Sequence, residues 1–120
     1  MNEIDFIDRL HTVLKKGTIN DIEDIIKNPP GRKPDNNLLD LSKWYNNLKE
    51  EDKSKLHRII ELSVDSSIFG FLCILDGVRA LEYGAEKGCF ELYYKKGDQR
   101  ALLNDENKEF LHDIYKSSEY

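Results

Sequence analysis

Residues 68–79 read IFGFLCILDGVR, an apolar run that ends in Asp76, Gly77 and Arg79. The run continues the helical spacing of the apolar residues before it, which predicts one long central helix over about residues 50–75. Gly77 is expected to close this helix in a left-handed conformation. Asp76 would oppose the helix dipole there, so we expect Arg79 or a backbone donor at the same corner to offset its charge.

The residue pattern changes after this corner. Three segments alternate with a period near two and are rich in aromatic or branched residues, and their connections contain the glycines that hairpin turns require. These segments are VRALEY (78–83), CFELYYKK (89–96) and QRALLN (99–104). We therefore expect a three-stranded antiparallel meander in which Phe90, Leu92 and Tyr94 share one face, with Glu91 and Tyr93 on the other.

Helical spacing also marks the chain before the central helix. A first helix is expected to end at Gly17, and Thr18 is expected to cap a second one. PPGRKP (29–34) then forms an extended connector, because proline cannot continue a helix. A third helix from about Asn37 to Leu48 carries Trp44 at a spacing that favours a core position over a binding platform.

A final helix is expected to begin near Asn104 or Asp105, since either side chain can cap it. The predicted fold is α+β: four N-terminal helices with a long central helix, then a three-stranded antiparallel β-meander and a C-terminal helix. The chain length favours a single domain over residues 1–120. Its expected parts are a helical N-terminal segment (1–28), a linker (29–36) and an α+β core (37–120).

Charge and cysteine content narrow the class of protein. The net charge is −5, and residues 61–120 hold 12 acidic but only 7 basic side chains, which argues against nucleic-acid binding and is compatible with a basic partner. The longest apolar stretch is too short to cross a bilayer, so no membrane partner is expected. Cys73 and Cys89 are the only cysteines and are typical of reduced thiols in a cytoplasmic protein.

No motif for a metal, a nucleotide or a dinucleotide cofactor is present, and the three histidines lie on different predicted helices. Cys73 lies in an apolar setting that disfavours the thiolate a nucleophile needs, which favours an inert core thiol. Asp76, Arg79 and His112 at one end of the sheet could form either a small polar pocket or a structural ion-pair network.

Several segments resemble a group of small bacterial proteins for which no activity is established. The segments include PPGRKP (29–34), FGFLCILDGVR (69–79) and LHDIY (111–115), and the resemblance covers about residues 29–116. It implies a bacterial source and a stand-alone domain, and it transfers no catalytic residue. In size, acidity and lack of a catalytic motif, the chain is also similar to immunity proteins that are made beside toxins. This second similarity is one of general character and is carried by no shared motif.

Two functional hypotheses follow, together with a third that concerns assembly. The first is an interaction protein of the immunity or antitoxin type, which binds a toxin or effector protein through an acidic C-terminal surface. Its expected contact residues are Glu91, Tyr93, Asp105, Glu106 and Glu109. The second is a small-ligand-binding or enzymatic domain with its pocket near Asp76, Arg79 and His112. The third is a self-associating structural module.

Overall fold

The computed structural model describes residues 1–118, so residues 119 and 120 of the predicted domain lie outside the described residues. The fold is α+β, as predicted, with four helices, a two-stranded antiparallel sheet and a C-terminal helix. The helices are α1 (Glu3–Arg9), α2 (Lys16–Lys27), α3 (Asn36–Asn46), α4 (Glu50–Leu75) and α5 (Leu111–Ser117). The strands are β1 (Tyr93–Lys96) and β2 (Gln99–Leu102), and a π-helical segment (Leu10–Lys15) joins α1 to α2.

Two compact units make up the described chain. The sheet unit comprises residues 1–12 and 66–118, and the helical unit comprises residues 13–65. Neither boundary falls in the predicted 29–36 linker, and the single-domain expectation stays a prediction. No helix among residues 1–118 is both long and apolar enough to cross a membrane.

The core of the sheet unit joins both ends of the chain to α4. Apolar residues at 3–4 spacing on α1, α4 and α5 bury side chains against each other, which supplies the main free energy of folding there. The buried cluster consists of Ile7, Leu72, Leu111, Ile114 and Tyr115. His11 is also buried, with its ring stacked on that of Tyr115 at a centroid separation of 4.1 Å.

The helical unit packs α2 against α3. Asn46 of α3 donates a hydrogen bond from Nδ2 to the Lys27 carbonyl at 3.1 Å, which satisfies a carbonyl in the last turn of α2. The helix break predicted at Gly17 is wrong, because α2 runs through Gly17 and needs no cap at Thr18. Glycine tolerates a helix interior at a cost of about 1 kcal/mol relative to alanine.

The predicted core position of Trp44 is also wrong. Trp44 is 54% exposed, and Tyr45 and Ser42 are the residues that α3 buries. The apolar spacing of α3 fits two neighbouring stripes, and contact with α2 selects the stripe that contains Tyr45.

The central helix has the predicted bounds and the predicted end. Gly77 has φ +77°, Gly77 N donates to the Ile74 carbonyl, and Val78 N donates to the Cys73 carbonyl. These two bonds form a Schellman motif, which satisfies carbonyls that the last turn of α4 would otherwise leave free.

The sheet has two strands, so the predicted third strand over 78–83 is wrong. Residues 77–91 are all exposed and hold neither helix nor strand, and Phe90, predicted to share a strand face with Leu92 and Tyr94, is 53% exposed. Apolar and polar residues alternate in this segment, but no face of it is buried, and burial of one face is what stabilises a strand. The GD turn is as predicted: Lys96 pairs with Gln99 across Gly97, whose φ is +58°.

The last helix begins at Leu111, so the predicted start near Asn104 or Asp105 is also wrong. Both side chains have other partners. Asp105 Oδ1 accepts hydrogen bonds from the backbone N and Nδ2 of Asn107, which closes a local turn of the kind that competes with helix.

Candidate functional site

Asp76 connects the end of α4 to the beginning of α5. Its side chain is fully buried, and Oδ2 accepts hydrogen bonds from the His112 backbone N at 2.8 Å and from His112 Nδ1 at 2.7 Å. The N-cap residue of α5, Phe110, has no side-chain acceptor, so Asp76 supplies from 34 residues upstream what a capping residue normally supplies locally. The backbone donor that contacts Asp76 thus comes from the start of α5 and not from the residues that follow α4.

Of the three residues of the predicted pocket, Asp76 and His112 are in direct contact, and no ion pair within residues 1–118 involves Arg79. Asp76 and His112 form a pair, while the Arg79 guanidinium lies over Gly70 of α4. A Cβ at Gly70 would stand 2.6 Å from Arg79 Nη1, so an alanine at this position would require the Arg79 guanidinium to shift. Phe69 and Phe110 flank the His112 ring, so His112 is enclosed mainly by protein groups.

Asn104 holds the segment before β1 against the end of α4. Its Nδ2 donates to the Leu75 carbonyl at 2.7 Å and to the Phe90 carbonyl at 2.8 Å, and its Oδ1 accepts from Leu92 N at 2.8 Å. One amide therefore satisfies an orphan helix carbonyl and two groups of an irregular segment. The sequence gives no signal of this role, because all three partners are backbone groups distant in the chain.

Two adjoining cavities of about 320 Å³ each open near the end of α4, and Asn104 lines one of them. The first, here named the acidic cavity, is lined by Glu91, Asp105 and Glu106, by Asp76, whose carboxylate is itself buried, and by Leu75, Phe90 and Leu102. No lysine, arginine or histidine of the described chain lines it. Three of the five predicted partner-binding residues are thus brought together around one concave surface.

The second cavity, here named the basic cavity, is lined by Arg79, Lys87 and Glu82 and by apolar residues that include Leu81. Glu82 is already engaged, since its Oε2 accepts a hydrogen bond from Gly88 N at 2.9 Å. Within residues 1–118, neither cation of this cavity forms an ion pair with a carboxylate. Gly77, Cys89 and Phe90 line both cavities.

The remaining predicted contact residues lie close to the acidic cavity in the chain, and neither lines it. Tyr93 of β1 donates from its hydroxyl to Glu91 Oε2 at 2.5 Å, and the Arg100 guanidinium stacks 3.8 Å above its ring. The hydrogen bond to Glu91 raises the pKa of Tyr93 above its usual value. Glu109 is exposed in the segment before α5.

The two cysteines differ in exposure and reactivity. Both are free, Cys73 being half-buried in α4 and Cys89 exposed. Burial, followed by the nearby charge of Asp76, raises the pKa of the Cys73 thiol. The thiolate that nucleophilic catalysis requires is therefore disfavoured at Cys73 near neutral pH.

The helical unit holds a charged cluster that was not predicted from the sequence. His57 of α4 contacts Glu23 of α2 through Nδ1 and Glu61, one turn further along α4, through Nε2. The hydrogen bond to Glu23 is the main cause that raises the pKa of His57, and Glu61 adds to it. The i, i+4 spacing of His57 and Glu61 was a readable signal, but the contact with Glu23 depends on how α2 and α4 meet.

Within the described residues, no group of three or more histidine, cysteine, aspartate or glutamate side chains is arranged to hold a metal ion. Comparison with protein-family models, with curated proteins and with solved structures gave no significant match. The acidic and basic cavities are therefore interpreted from their own geometry and charge.

Proposed function

We propose that the chain is a small cytosolic bacterial protein that binds a basic partner protein, of toxin or effector type, through the acidic cavity and the surface around it. The observation that carries this proposal is the convergence of Glu91, Asp105 and Glu106 around a cavity that no cation of the described chain lines. An ammonium or guanidinium group from a partner is the complement of such a surface.

These carboxylates are available to a partner because they are not engaged in ion pairs within residues 1–118. Glu91, Asp105 and Glu106 form no ion pair with a lysine, arginine or histidine within residues 1–118, whereas Glu3 is 3.6 Å from Lys108. The apolar walls at Leu75, Phe90 and Leu102 add surface for the alkyl stem of a lysine or arginine. Binding through this site would combine apolar contact with steering by the acidic surface.

The experiment is affinity capture from a bacterial lysate, with quantification by mass spectrometry, on three forms of the full chain. The wild type is expected to retain a basic protein in stoichiometric amount, and E91Q/D105N/E106Q is expected to lose it. The control E50Q/E51Q/D52N removes the same number of charges from the exposed first turn of α4 and is expected to retain the partner.

Salt provides a second measurement on the same complex. Raising NaCl from 0.15 M to 1 M shortens the Debye length from about 8 Å to about 3 Å, so the purified complex is expected to bind markedly more weakly. Equal capture by the wild type and E91Q/D105N/E106Q would contradict the proposal, as would capture of no stoichiometric protein.

A further inference from the structure

We infer that the acidic and basic cavities together bind one short extended segment of the partner, which carries a cation and an anion on either side of an apolar residue. The inference rests on the proposed function and goes beyond it, because it assigns the basic cavity and the form of the bound segment. Its starting point is that the two cavities adjoin and share Gly77, Cys89 and Phe90 as lining residues.

The charges of the two cavities have opposite sign. Glu91, Asp105 and Glu106 line the acidic cavity, while Arg79 and Lys87 line the basic cavity and exceed Glu82 by one charge. Glu82 is further committed to Gly88 N. A partner group with a lysine or arginine in the first cavity and an aspartate or glutamate in the second would satisfy both signs at once.

The volume of each cavity limits the size of the group that it can hold. Each holds about 320 Å³, near the lower limit of small-molecule pockets, which suits individual side chains rather than a helix or a second domain. Phe90 is 53% exposed and lines both cavities, so an apolar residue of the same segment can pack on its ring. Leu81 is 62% exposed beside it and extends this apolar contact.

The solvent-exposed segment between α4 and β1 has the properties of an interaction surface. Residues 77–91 are exposed throughout, and Val78, Leu81 and Phe90 each present more than half of their surface to solvent. Exposed apolar groups that are rimmed by charges are typical of protein-binding surfaces. An extended segment that lies along these residues would cover apolar area and contact both charged linings.

The test is selection from a random dodecapeptide phage library on the immobilised full chain. Wild-type protein is expected to enrich peptides that carry a basic and an acidic residue flanking an apolar one. Selection on E91Q/D105N/E106Q is expected to lose the basic preference and keep the acidic one, and selection on R79Q/K87Q is expected to do the reverse. A selected synthetic peptide should bind each variant about two- to fivefold more weakly per lost ion pair.

A second measurement needs no substitution of a charged residue. Cys89 is exposed and lines both cavities, whereas Cys73 is half-buried with a raised pKa, so N-ethylmaleimide is expected to label Cys89 first. Labelled wild-type protein should bind the selected peptide at least several-fold more weakly than unlabelled protein.

The outcomes separate this inference from the proposed function. Peptides with a basic preference alone, and no effect of R79Q/K87Q, would overturn the two-cavity inference and leave the basic partner standing. Absence of any enriched motif would overturn the inference of a short extended segment, whereas the proposed function is decided by the affinity capture of the partner protein. Enriched peptides whose affinity is unchanged by either variant and by alkylation of Cys89 would place binding elsewhere and overturn the inference.

Discussion

Replacing Asp76 by alanine is expected to lower the free energy of unfolding far more than replacing Asp113, an acidic residue in the first turn of α5. The substitution removes a capping hydrogen bond to His112 N, worth about 1 kcal/mol, and a bond to the His112 ring, worth about 2 kcal/mol. Removing a fully buried carboxylate also relieves its desolvation, which offsets part of this loss. We expect a net decrease of about 2–3 kcal/mol in the free energy of unfolding.

The assay is urea denaturation followed by far-UV circular dichroism. With an m-value of about 1.5 kcal/mol/M, the loss corresponds to a midpoint that is lower by about 1.3–2 M urea. Asp113→Ala is the matched control, because it removes an acidic side chain from the first turn of α5 that is 58% exposed. Its loss should cost less than about 1 kcal/mol.

Asp76→Asn separates the cap from the charge. The amide oxygen can still accept from His112 N, so we expect a destabilisation of about 1 kcal/mol, between those of the control and the alanine variant. If Asp76→Ala were no more destabilising than Asp113→Ala, the assignment of Asp76 as the cap of α5 would be refuted.

Three further perturbations test other parts of the structure. Asn104→Ala removes three hydrogen bonds at about 1 kcal/mol each and should lower the free energy of unfolding by about 2–4 kcal/mol, whereas the exposed Asn107→Ala should change it little in the same urea titration. Because the folded pKa of His57 is raised, its stabilisation is fully present below its unfolded value of about 6.5 and is lost as pH rises through the folded pKa. Thermal melts between pH 6 and 9 should therefore show this loss in the wild type, and a His57→Gln variant that fell equally would contradict the assignment. Gly70→Ala should stabilise an Arg79→Ala variant by about 0.5–1 kcal/mol through its higher helix propensity. It should stabilise the wild type less, because the added Cβ would stand 2.6 Å from Arg79 Nη1. Equal effects in a double-mutant cycle would exclude that contact.

Local chemistry was sufficient to predict the central helix. The bounds of α4 followed from continuous 3–4 spacing and from a glycine whose positive φ ends the helix at Gly77. The GD hairpin was predictable for the same reason, since Gly97 takes the positive φ that the turn requires. Both features are decided within a few residues of chain.

Features that depend on distant partners were not predictable from the pattern. Segment 78–83 alternates like a strand but pairs with none, and Leu81 is 62% exposed within it. The start of α5 is set by Asp76, far upstream, rather than by Asn104 or Asp105. Periodicity states which residues could share a face, and tertiary contact decides whether that face is buried.

The candidate site shows the same limit in another form. An acidic surplus after residue 60 predicted the type of surface, and Glu91, Asp105 and Glu106 were among the residues chosen from it. Their arrangement around one cavity depends on Asn104, which ties the segment before β1 to the end of α4. Because no local side-chain pattern encodes bonds to backbone groups that are distant in the chain, the cavity could not be inferred from charge alone.

Substitutions should distinguish the structural carboxylate Asp76 from the carboxylates proposed to bind a partner, because their charges are balanced in different ways. Asp76 is buried and bonded to His112, so its loss removes native-state contacts and lowers stability. Glu91, Asp105 and Glu106 have no internal ion pair within residues 1–118, and their amide analogues keep an acceptor oxygen for their neutral partners. Neutralising them also reduces repulsion among like charges, so the melting temperature of E91Q/D105N/E106Q should stay the same or rise slightly. A loss of partner binding without a loss of stability is therefore the signature expected of the acidic cavity, whereas a variant that lost both would assign these carboxylates to the fold.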